Sequence, residues 1–355
     1  MTPGPEDREH PQVSIIIVNF NGKDLLRRCL ASIFAVTAYP KFEVVLVDNA
    51  STDGSVELVK ELFGSSPNLR IIENQGNLGH AEGCNIGARK ATGEYLVFLD
   101  SDTDVKDVKG FASDSCFGGD WLTELVKVME NDASIGLAQA KIVLAEDHRL
   151  LDHVGMALDA LGTWHTAYGL EEKEFREVFE VLAASSGGCI TRRDIFREAG
   201  GFDPDYFIYD DDTDLSLRTR LLGYRVVFVP SSVIAHHAGP ARGLNPRRLY
   251  HGTKNRLCTM LKGYELKGLW WRLLAFSLLM VMLSLGLLLL GKIDQAMGIV
   301  KGLFYPLRNL RKIWVKRLLI QSKRRVGDTE LMNQGFLRKD IRSTIGDIRL
   351  KYVYF

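Results

Sequence analysis

Apolar residues in the first hundred positions occur in short continuous runs, and the segments between these runs carry apolar residues at three- and four-residue spacing. Continuous runs of four to eight apolar residues predict buried strands, and the three-to-four spacing predicts amphipathic helices. Strands are predicted at 13–20, 42–47, 70–73 and 95–102, with helices at 24–32 and 56–63 and a third that ends near Gly93. This alternation is typical of right-handed βαβ units, so we predict an α/β fold around a mostly parallel central sheet flanked by helices.

The pattern is less regular after residue 102. The polar, aperiodic segment 103–120 predicts a loop, and 150–168 has no dominant period. The charged stretch 171–180 predicts a helix. Further helices are predicted at 122–129, 193–199 and 211–222, and further strands at 135–143 and 224–229, after which 232–235 leads to His236-His237.

A different pattern begins near residue 269. Positions 269–290 contain one charge, Arg272, and are long enough to cross roughly 30 Å of hydrocarbon as a helix. The segment 307–325 combines apolar and basic residues in the manner of an interfacial helix. From residue 292 to the end, 15 Lys/Arg face 5 Asp/Glu. We therefore predict a flexible tail at 1–11, a globular domain at 12–260, a hydrophobic membrane-associated helix at 261–291 and a basic amphipathic region at 292–355.

The charge distribution and the cysteines indicate the kind of partner and the cellular compartment. The formal charge of +1 conceals the basic C-terminal region, which is typical of contact with an anionic membrane or a nucleic acid, or of a solvated helical face. The five cysteines are scattered and contain no C-x-x-C pair, which indicates a reducing compartment without a zinc site or a disulfide framework.

Two carboxylates mark the end of the fourth predicted strand. With a side-chain period of two, Asp100 and Asp102 project to the same side if the strand continues through them. Such a pair at the carboxyl edge of an α/β sheet, where ligands bind, favours a divalent cation that holds a phosphate. His236, in the pair His236-His237, would add one imidazole, and this donor set suits Mn²⁺ or Mg²⁺.

A second acidic group precedes the helix predicted at 211–222. Asp210, Asp211, Asp212 and Asp214 are more acids than capping of one helix needs. Their mutual repulsion raises at least one pKa, which suits a general base. Asp48 caps the next helix or accepts a hydrogen bond from a nucleotide base. Neither G-x-G-x-x-G nor a Walker A motif is present, which argues against dinucleotide and ATP folds.

Several of these motifs together resemble a family 2 glycosyltransferase, in particular its rhamnosyltransferase-like and galactofuranosyltransferase-like members. The resemblance covers about 12–260, and the ordered set is specific although each motif alone is weak. The motifs are IIIVNFNG at 15–22, VDNASTDGS at 47–55, NLG at 77–79, LDSD at 99–102 and DDTDL at 211–215.

The resemblance implies a GT-A fold and an inverting, metal-dependent transfer of a sugar from a nucleotide-sugar. Asp212 would be the catalytic base, and Asp211 beside it would contact acceptor or donor sugar. Asp100 and Asp102 would form the D-x-D pair, and His236 would complete the metal shell. The nucleotide-sugar would contact Val18, Asn19, Asp48, Asn77, Asp100, Gly187 and Gly188.

The sequence departs from the family pattern at three places. Asp211-Asp212 replaces the common Glu-Asp pair, which shortens one carboxylate arm. The segment 103–120 is about ten residues longer than the pattern and lies beside the metal pair, where it would act as a lid or acceptor-specific element. Lys254-Asn255 replaces the usual Arg-Asn, which weakens any bidentate phosphate contact.

The resemblance also implies partners and a location. The donor would be a UDP-, dTDP- or GDP-sugar and the acceptor a glycan or polyprenyl-linked glycan. No nucleic acid is expected as a partner, and the resemblance leaves open whether the chain forms a homo-oligomer. The domain that meets nucleotide-sugar is cytosolic, so a single span would put the basic tail outside, against the positive-inside rule. Either 299–307 returns the chain as a hairpin, or 269–290 lies in or dips into the cytosolic leaflet. We predict attachment to the cytoplasmic side of the cell membrane.

Two other classes compete with this interpretation. One is a non-catalytic sugar-nucleotide-binding protein on a membrane, but a degenerate relative is expected to lack at least one of Asp100, Asp102, Asp212 and His236. The other is a nucleotidyltransferase, which normally has a glycine-rich N-terminal loop with Arg and Lys, unlike Phe20-Asn21-Gly22.

Overall fold

Four buried strands and three helices alternate over the first hundred residues, as the apolar pattern predicts. The computed structural model describes residues 10–105, 120–159, 162, 164–237 and 245–338. The first elements are β1 (Val13–Asn19), α1 (Lys23–Val36), β2 (Phe42–Asp48), α2 (Ser55–Phe63), β3 (Leu69–Glu73), α3 (Gly79–Lys90) and β4 (Tyr95–Asp100). Almost all residues of β1, β2 and β4 are buried, because helices cover both faces of this part of the sheet.

The second half of the sheet domain is built from shorter elements. These are β5 (Thr103–Val105), α4 (Trp121–Asn131), β6 (Ile135–Leu144), β7 (Leu151–His153), β8 (Gly155–Leu158), β9 (Trp164–Thr166), β10 (Phe179–Glu180), β11 (Gly188–Arg192), α5 (Arg193–Ala199), α6 (Asp211–Leu221) and β12 (Arg225–His236). The helices α4, α5 and α6 lie close to their predicted positions, and β12 continues beyond the strand predicted at 224–229 as far as His236, with an irregularity between Val229 and Val233.

Ten strands form one central sheet in the order β10-β12-β6-β11-β4-β1-β2-β3, with β5 added to β12 and β7 to β6, and β8 pairs with β9 in a separate two-stranded sheet. Six of the eight strands in that order point the same way, and β11 runs antiparallel between β4 and β6. The predicted α/β class with a mostly parallel sheet is therefore confirmed. Because the parallel strands end at one edge, β1, β4 and β12 bring their last residues to the same side of the molecule.

Three local predictions were wrong. The fourth strand ends at Asp100, and Ser101 and Asp102 form a turn, so strand period does not align the two acids. Part of 103–120 is strand β5, which pairs Thr103 with His236, while 106–119 lie outside the described residues. The charged stretch 171–180 contains only a single 3-10 turn at Glu172–Glu174 and strand β10.

Five helices complete the described chain. They are α7 (Pro246–Gly263), α8 (Leu266–Leu289), α9 (Ile293–Arg308), α10 (Leu310–Lys323) and α11 (Asp328–Asn333). By length and composition, α8 is able to cross a membrane. The next helix returns to the sheet domain, since Gly298 and Gly302 of α9 lie so close to α7 that an added Cβ would stand 2.5 Å from Pro246 O and 2.8 Å from Thr253 Cβ.

Candidate active site

A cleft of about 640 Å³ opens at the carboxyl ends of the parallel strands. The turn after β4 and the end of β12 form one wall, the start of α6 forms the floor, and α7 and α8 close the far end. The loop that precedes α6 and the segment that precedes β11 also contribute. Most of the residues predicted from separate motifs thus line one cavity, as the sheet-edge argument requires, whereas Asn19, Asp48 and Gly188 do not line it.

Two carboxylates and one imidazole gather at the strand ends. Asp100, Asp102 and His236 each offer one ligand atom, and these atoms lie within 4.8 Å of one another. The turn that carries Asp102 is attached to β12, because the His237 N–H donates to Asp102 O at 2.8 Å. Two hard oxygen donors and one nitrogen fit Mn²⁺ or Mg²⁺, and no cysteine belongs to this group among the described residues.

Asp152 of β7 orients the histidine. His236 Nδ1 lies 2.9 Å from Asp152 Oδ2, and its Nε2 lies 3.4 Å from Asp102 Oδ1. Burial opposes protonation, but the bonds to Asp102 and Asp152 outweigh it and raise the pKa of His236 to about 11. A divalent ion must replace the proton on Nε2, because a ligating imidazole is neutral.

His80 connects the two acidic groups of the cleft. Its Nδ1 lies 2.7 Å from Asp211 Oδ2, and its Nε2 lies 3.5 Å from Asp100 Oδ1. Burial favours the neutral ring, yet Cys84, Asp211 and Asp100 together raise the pKa of His80 well above its ordinary value. The Asp211 carboxylate is therefore turned toward His80.

Asp212 has the surroundings of a general base. Burial, and then the negative charges of Asp211 and Asp210, raise its pKa to about 7. Its Oδ1 accepts the Thr213 N–H at 2.7 Å, and its Oδ2 lies 3.4 Å from Ser186 N. A carboxylate that titrates near neutrality at the floor of a cleft can take a proton from a hydroxyl group.

The loop before α6 has a strained backbone. Phe207, Tyr209 and Asp210 have φ values of 67°, 66° and 55°, in the left-handed region that side chains other than glycine rarely adopt. The Asn255 amide of α7 donates to Ile208 O at 3.0 Å and Tyr209 O at 2.7 Å. Such strain persists only where surrounding bonds determine it, and here it fixes the position of the acids that follow.

Lys254 and Asn255 both bind the backbone of the segment that precedes α6. Lys254 Nζ donates to Asp205 O at 2.5 Å and to Tyr206 O at 3.3 Å, and both side chains are buried. This pair therefore helps to hold the strained loop in place.

The residues predicted for the nucleotide-sugar divide into two layers. Val18, Asn77 and Asp100 line the cleft, as does Gly187, where an added Cβ would stand 2.8 Å from Asp100 Oδ2. Gly188 lies behind Gly187, and a Cβ there would stand 2.8 Å from Ile234 Cδ1. Glycine at these two positions lets the segment approach the metal-binding turn and the sheet.

Asn19 and Asp48 lie beneath the cleft surface. Asp48 is 2% exposed, and its Oδ1 accepts from Asn19 Nδ2 at 2.9 Å and from Ser51 Oγ at 2.6 Å. Its Oδ2 accepts the Ser51 N–H at 2.8 Å. These bonds join the ends of β1 and β2.

Sequence reasoning missed His80 and Asp152. His80 follows the NLG motif directly, and Asp152 precedes His153 in a stretch without clear periodicity. Their partners lie 131 and 84 residues away along the chain. The available signal was their residue type, because His and Asp near an acidic cleft are candidates for positioning other ionisable groups.

The architecture defines a class of protein. GalNAc-T7 with UDP, GalNAc and Mn²⁺ superposes with a TM-score of 0.56 at 22% identity, over 72% of this chain and 48% of the other. A mannosyltransferase from Pyrobaculum calidifontis, in complex with GDP-Man and Mn²⁺, superposes with a TM-score of 0.54 at 20% identity, over 89% and 86%. The fold is the GT-A fold of glycosyltransferases, as expected.

Family models place the chain within that class. The model of glycosyl transferase family 2 matches residues 14–107, and that of glycosyl transferase family group 2 matches residues 112–305. The chain belongs to the family 2 glycosyltransferases.

Curated relatives agree with this assignment. The O-antigen biosynthesis protein RfbC of Myxococcus xanthus is 30% identical over 243 residues, which are 66% of this chain and 18% of that protein. The N-acetylglucosaminyl-diphospho-decaprenol L-rhamnosyltransferase of Mycobacterium tuberculosis is 26% identical over 290 residues, 73% of this chain and 86% of that protein. The chain thus matches 18% of the length of RfbC, and its match to the uncharacterized protein y4gI of Sinorhizobium fredii spans 25% of that protein.

Proposed function

We propose that this chain is an inverting, metal-dependent glycosyltransferase that moves a sugar from a nucleotide-sugar to a hydroxyl of a glycan or lipid-linked glycan. The observation that carries the proposal is one shared cleft. It contains the metal-type group Asp100, Asp102 and His236 together with Asp212, a carboxylate whose pKa is about 7. Retention of every one of these groups argues against a non-catalytic binding protein.

Each group has a distinct role in the proposed reaction. Asp100, Asp102 and His236 would hold Mn²⁺ or Mg²⁺, which when bound neutralises the departing nucleotide diphosphate. Asp212 takes the proton from the acceptor hydroxyl, and the oxygen of that hydroxyl forms the new bond to the anomeric carbon. The bond to the diphosphate breaks on the opposite face, so configuration inverts and no covalent intermediate forms.

Positioning residues support these roles. His80 holds Asp211 by the 2.7 Å bond and leaves Asp212 as the acid with the raised pKa. Val18, Asn77 and Gly187 would contact the donor, with Asn19, Asp48 and Gly188 supporting them from below.

We further propose that 12–260 forms the catalytic unit and that 261–291 and 292–355 attach it to the cytoplasmic side of the cell membrane. One side of α8 is apolar and exposed, at Trp270, Leu274, Leu278 and Met282. The relative named as acting on a diphospho-decaprenol substrate supports an acceptor that is itself in the membrane. Because α9 and α10 return to the sheet domain, the basic tail and the catalytic unit would share one side.

The proposal is tested with a panel of UDP-, dTDP- and GDP-sugars in Mn²⁺, using thermal shift for binding and donor hydrolysis for turnover. Asp212→Asn should keep the thermal shift of the best donor and lose hydrolysis, whereas Asp102→Asn should lose both. Asp194→Asn is the matched control, because Asp194 is exposed on α5, which follows β11 at the opposite edge of the sheet. Equal turnover in wild type and all three variants would contradict the mechanism.

A further inference from the structure

Helix α8 contributes an apolar part of the cleft lining. Phe276, Met280 and Leu283 of this helix line the same cavity as the acids. Leu249 and Thr253 of α7 face them, with Thr253 Oγ1 3.7 Å from Met280 Sδ. Sugars and phosphates gain little binding free energy from such an apolar surface, whereas a hydrocarbon chain gains binding free energy from each CH₂ group that it buries.

A row of three residues on α7 adjoins this apolar part of the lining. Arg248, Gly252 and Arg256 are spaced by four residues, so they lie on one face of the helix, and all three line the cleft. An added Cβ at Gly252 would meet no atom within 4 Å. The space above Gly252 is therefore open and is flanked by two guanidinium groups.

Arg256 has unused hydrogen-bonding capacity. Its Nε is buried without a hydrogen-bond partner among the described residues, and it lies 3.9 Å from Asp210 Oδ2. A buried donor of this kind is costly unless a ligand or water satisfies it. Guanidinium groups bind phosphate oxygens well, because their planar array of donors matches two oxygens at once.

We propose that this part of the cleft binds an isoprenoid diphosphate, the anchor of a lipid-linked acceptor. The diphosphate would lie over Gly252 between Arg248 and Arg256, and the isoprenoid chain would follow Phe276, Met280 and Leu283 toward the exposed side of α8. The inference rests on the proposed function, since it places the sugar attached to that diphosphate beside Asp212. The donor diphosphate belongs to a different place, at Asp100 and Asp102.

The test measures binding of farnesyl diphosphate to the full chain in detergent by calorimetry, with EDTA present so that no ion bridges a diphosphate to the D-x-D pair. Farnesol and inorganic diphosphate are titrated separately to distinguish the chain from the anion. The variants are Gly252→Trp, which fills the open space, and Arg256→Gln, which removes the charge. Gly286→Trp on α8 is the matched control, because a Cβ there also meets nothing within 4 Å and Gly286 does not line the cleft.

Farnesyl diphosphate should bind wild type and Gly286→Trp equally, and Gly252→Trp and Arg256→Gln at least about tenfold more weakly, the equivalent of about 1.4 kcal/mol. Farnesol and inorganic diphosphate should each bind wild type at least about tenfold more weakly than farnesyl diphosphate. Equal affinity of wild type, Gly252→Trp and Arg256→Gln would overturn the proposal, as would inorganic diphosphate or farnesol binding as tightly as farnesyl diphosphate.

Thermal unfolding of each variant identifies a folding defect, and Arg256→Gln keeps the test decisive if Gly252→Trp fails to fold. Donor hydrolysis in Mn²⁺ is a separate readout. Its absence in the wild type would overturn the proposed function, while binding in EDTA alone decides the isoprenoid site.

Discussion

Three consecutive aspartates at the start of α6 have three different environments. Asp210 has a left-handed backbone and faces Arg256, Asp211 is bonded to His80, and Asp212 has a pKa of about 7. Identical side chains are distinguished here only by their neighbours. A local pattern of acids predicts that one pKa is raised, but which one depends on partners more than a hundred residues away.

The pH dependence of activity should follow Asp212. A general base acts when deprotonated, so kcat/KM should rise about tenfold per pH unit below about 7 and level off above it. Asp210→Asn removes one of the charges that raise this pKa, so the rising limb should move to lower pH. A flat profile between about pH 5.5 and 8, or a limb unmoved by Asp210→Asn, would contradict the assignment.

Asp152 should control metal affinity without touching the donor. Removing a carboxylate that orients a ligating histidine typically costs 10- to 100-fold in metal affinity. In Asp152→Ala we expect the Mn²⁺ concentration for half-maximal activity to rise by about that factor, with kcat at saturating metal nearly unchanged. Asp152→Asn can still accept the 2.9 Å bond from His236 and should lose less. Unchanged metal dependence in the Ala variant would show that His236 does not depend on Asp152.

At the scale of elements, the strained loop is held from two directions. Lys262 of α7 reaches Asp203 at 2.5 Å and Asp214 at 2.9 Å. From the other side, Lys316 of α10 pairs with both Asp203 and Asp205. The basic face of α10 is thus partly turned toward this loop, whereas the sequence pattern predicts only a membrane-facing role.

Lys262 should be essential for stability. It is 1% exposed, and its loss leaves buried carboxylates with one fewer cation. Breaking a buried ion pair in this way costs about 3–5 kcal/mol, so Lys262→Met should lower the free energy of unfolding in urea by about that amount. Lys127→Met removes an exposed i,i+3 pair with Glu124 and should change it by less than about 1 kcal/mol. Similar losses in the two variants would contradict the argument.

The sequence predicted those elements that have a clear local pattern of apolar residues. Strands β1, β2 and β4 are continuous apolar runs, so pattern alone locates them within one or two residues. The prediction of a helix at 171–180 was wrong because the charges of this stretch resemble a helix surface. Instead, Phe179 pairs with β12, and its ring packs on that of Phe228 with 5.0 Å between the ring centroids. Asp100, Asp102 and His236 were grouped by chemistry, and the structure brings one ligand atom of each within 4.8 Å of the others.

At the scale of the whole molecule, the C-terminal helices have an extensive exposed apolar surface. It includes Leu285 and Leu289 of α8, which are 56% and 90% exposed, and Trp314 and Leu318 of α10. Soluble monomers rarely expose contiguous apolar surfaces beyond a few hundred Å². Together with the basic residues after Lys292, this surface suits an anionic bilayer.

Membrane binding should depend on these leucines. In co-sedimentation with vesicles, we expect wild type to bind anionic vesicles more tightly than zwitterionic ones, with the difference reduced by salt. The double variant Leu285→Asp, Leu289→Asp should bind at least about tenfold more weakly, because charged side chains are costly in hydrocarbon. Leu62→Asp on α2 alters an exposed leucine outside this surface and should bind like wild type. Vesicle binding unaffected by the double variant would exclude α8 as the contact.

The position of β12 at the end of the sheet domain determines when the metal site can exist. During synthesis, Asp100 and Asp102 leave the ribosome more than a hundred residues before His236, and Asp152 emerges between them. Strand β12 pairs with β5, β6 and β10, so its docking requires contacts that are distant in sequence and therefore slow to form. A nascent chain carries the two carboxylates without the imidazole, so the proposed metal site would be complete only after the last strand has joined the sheet.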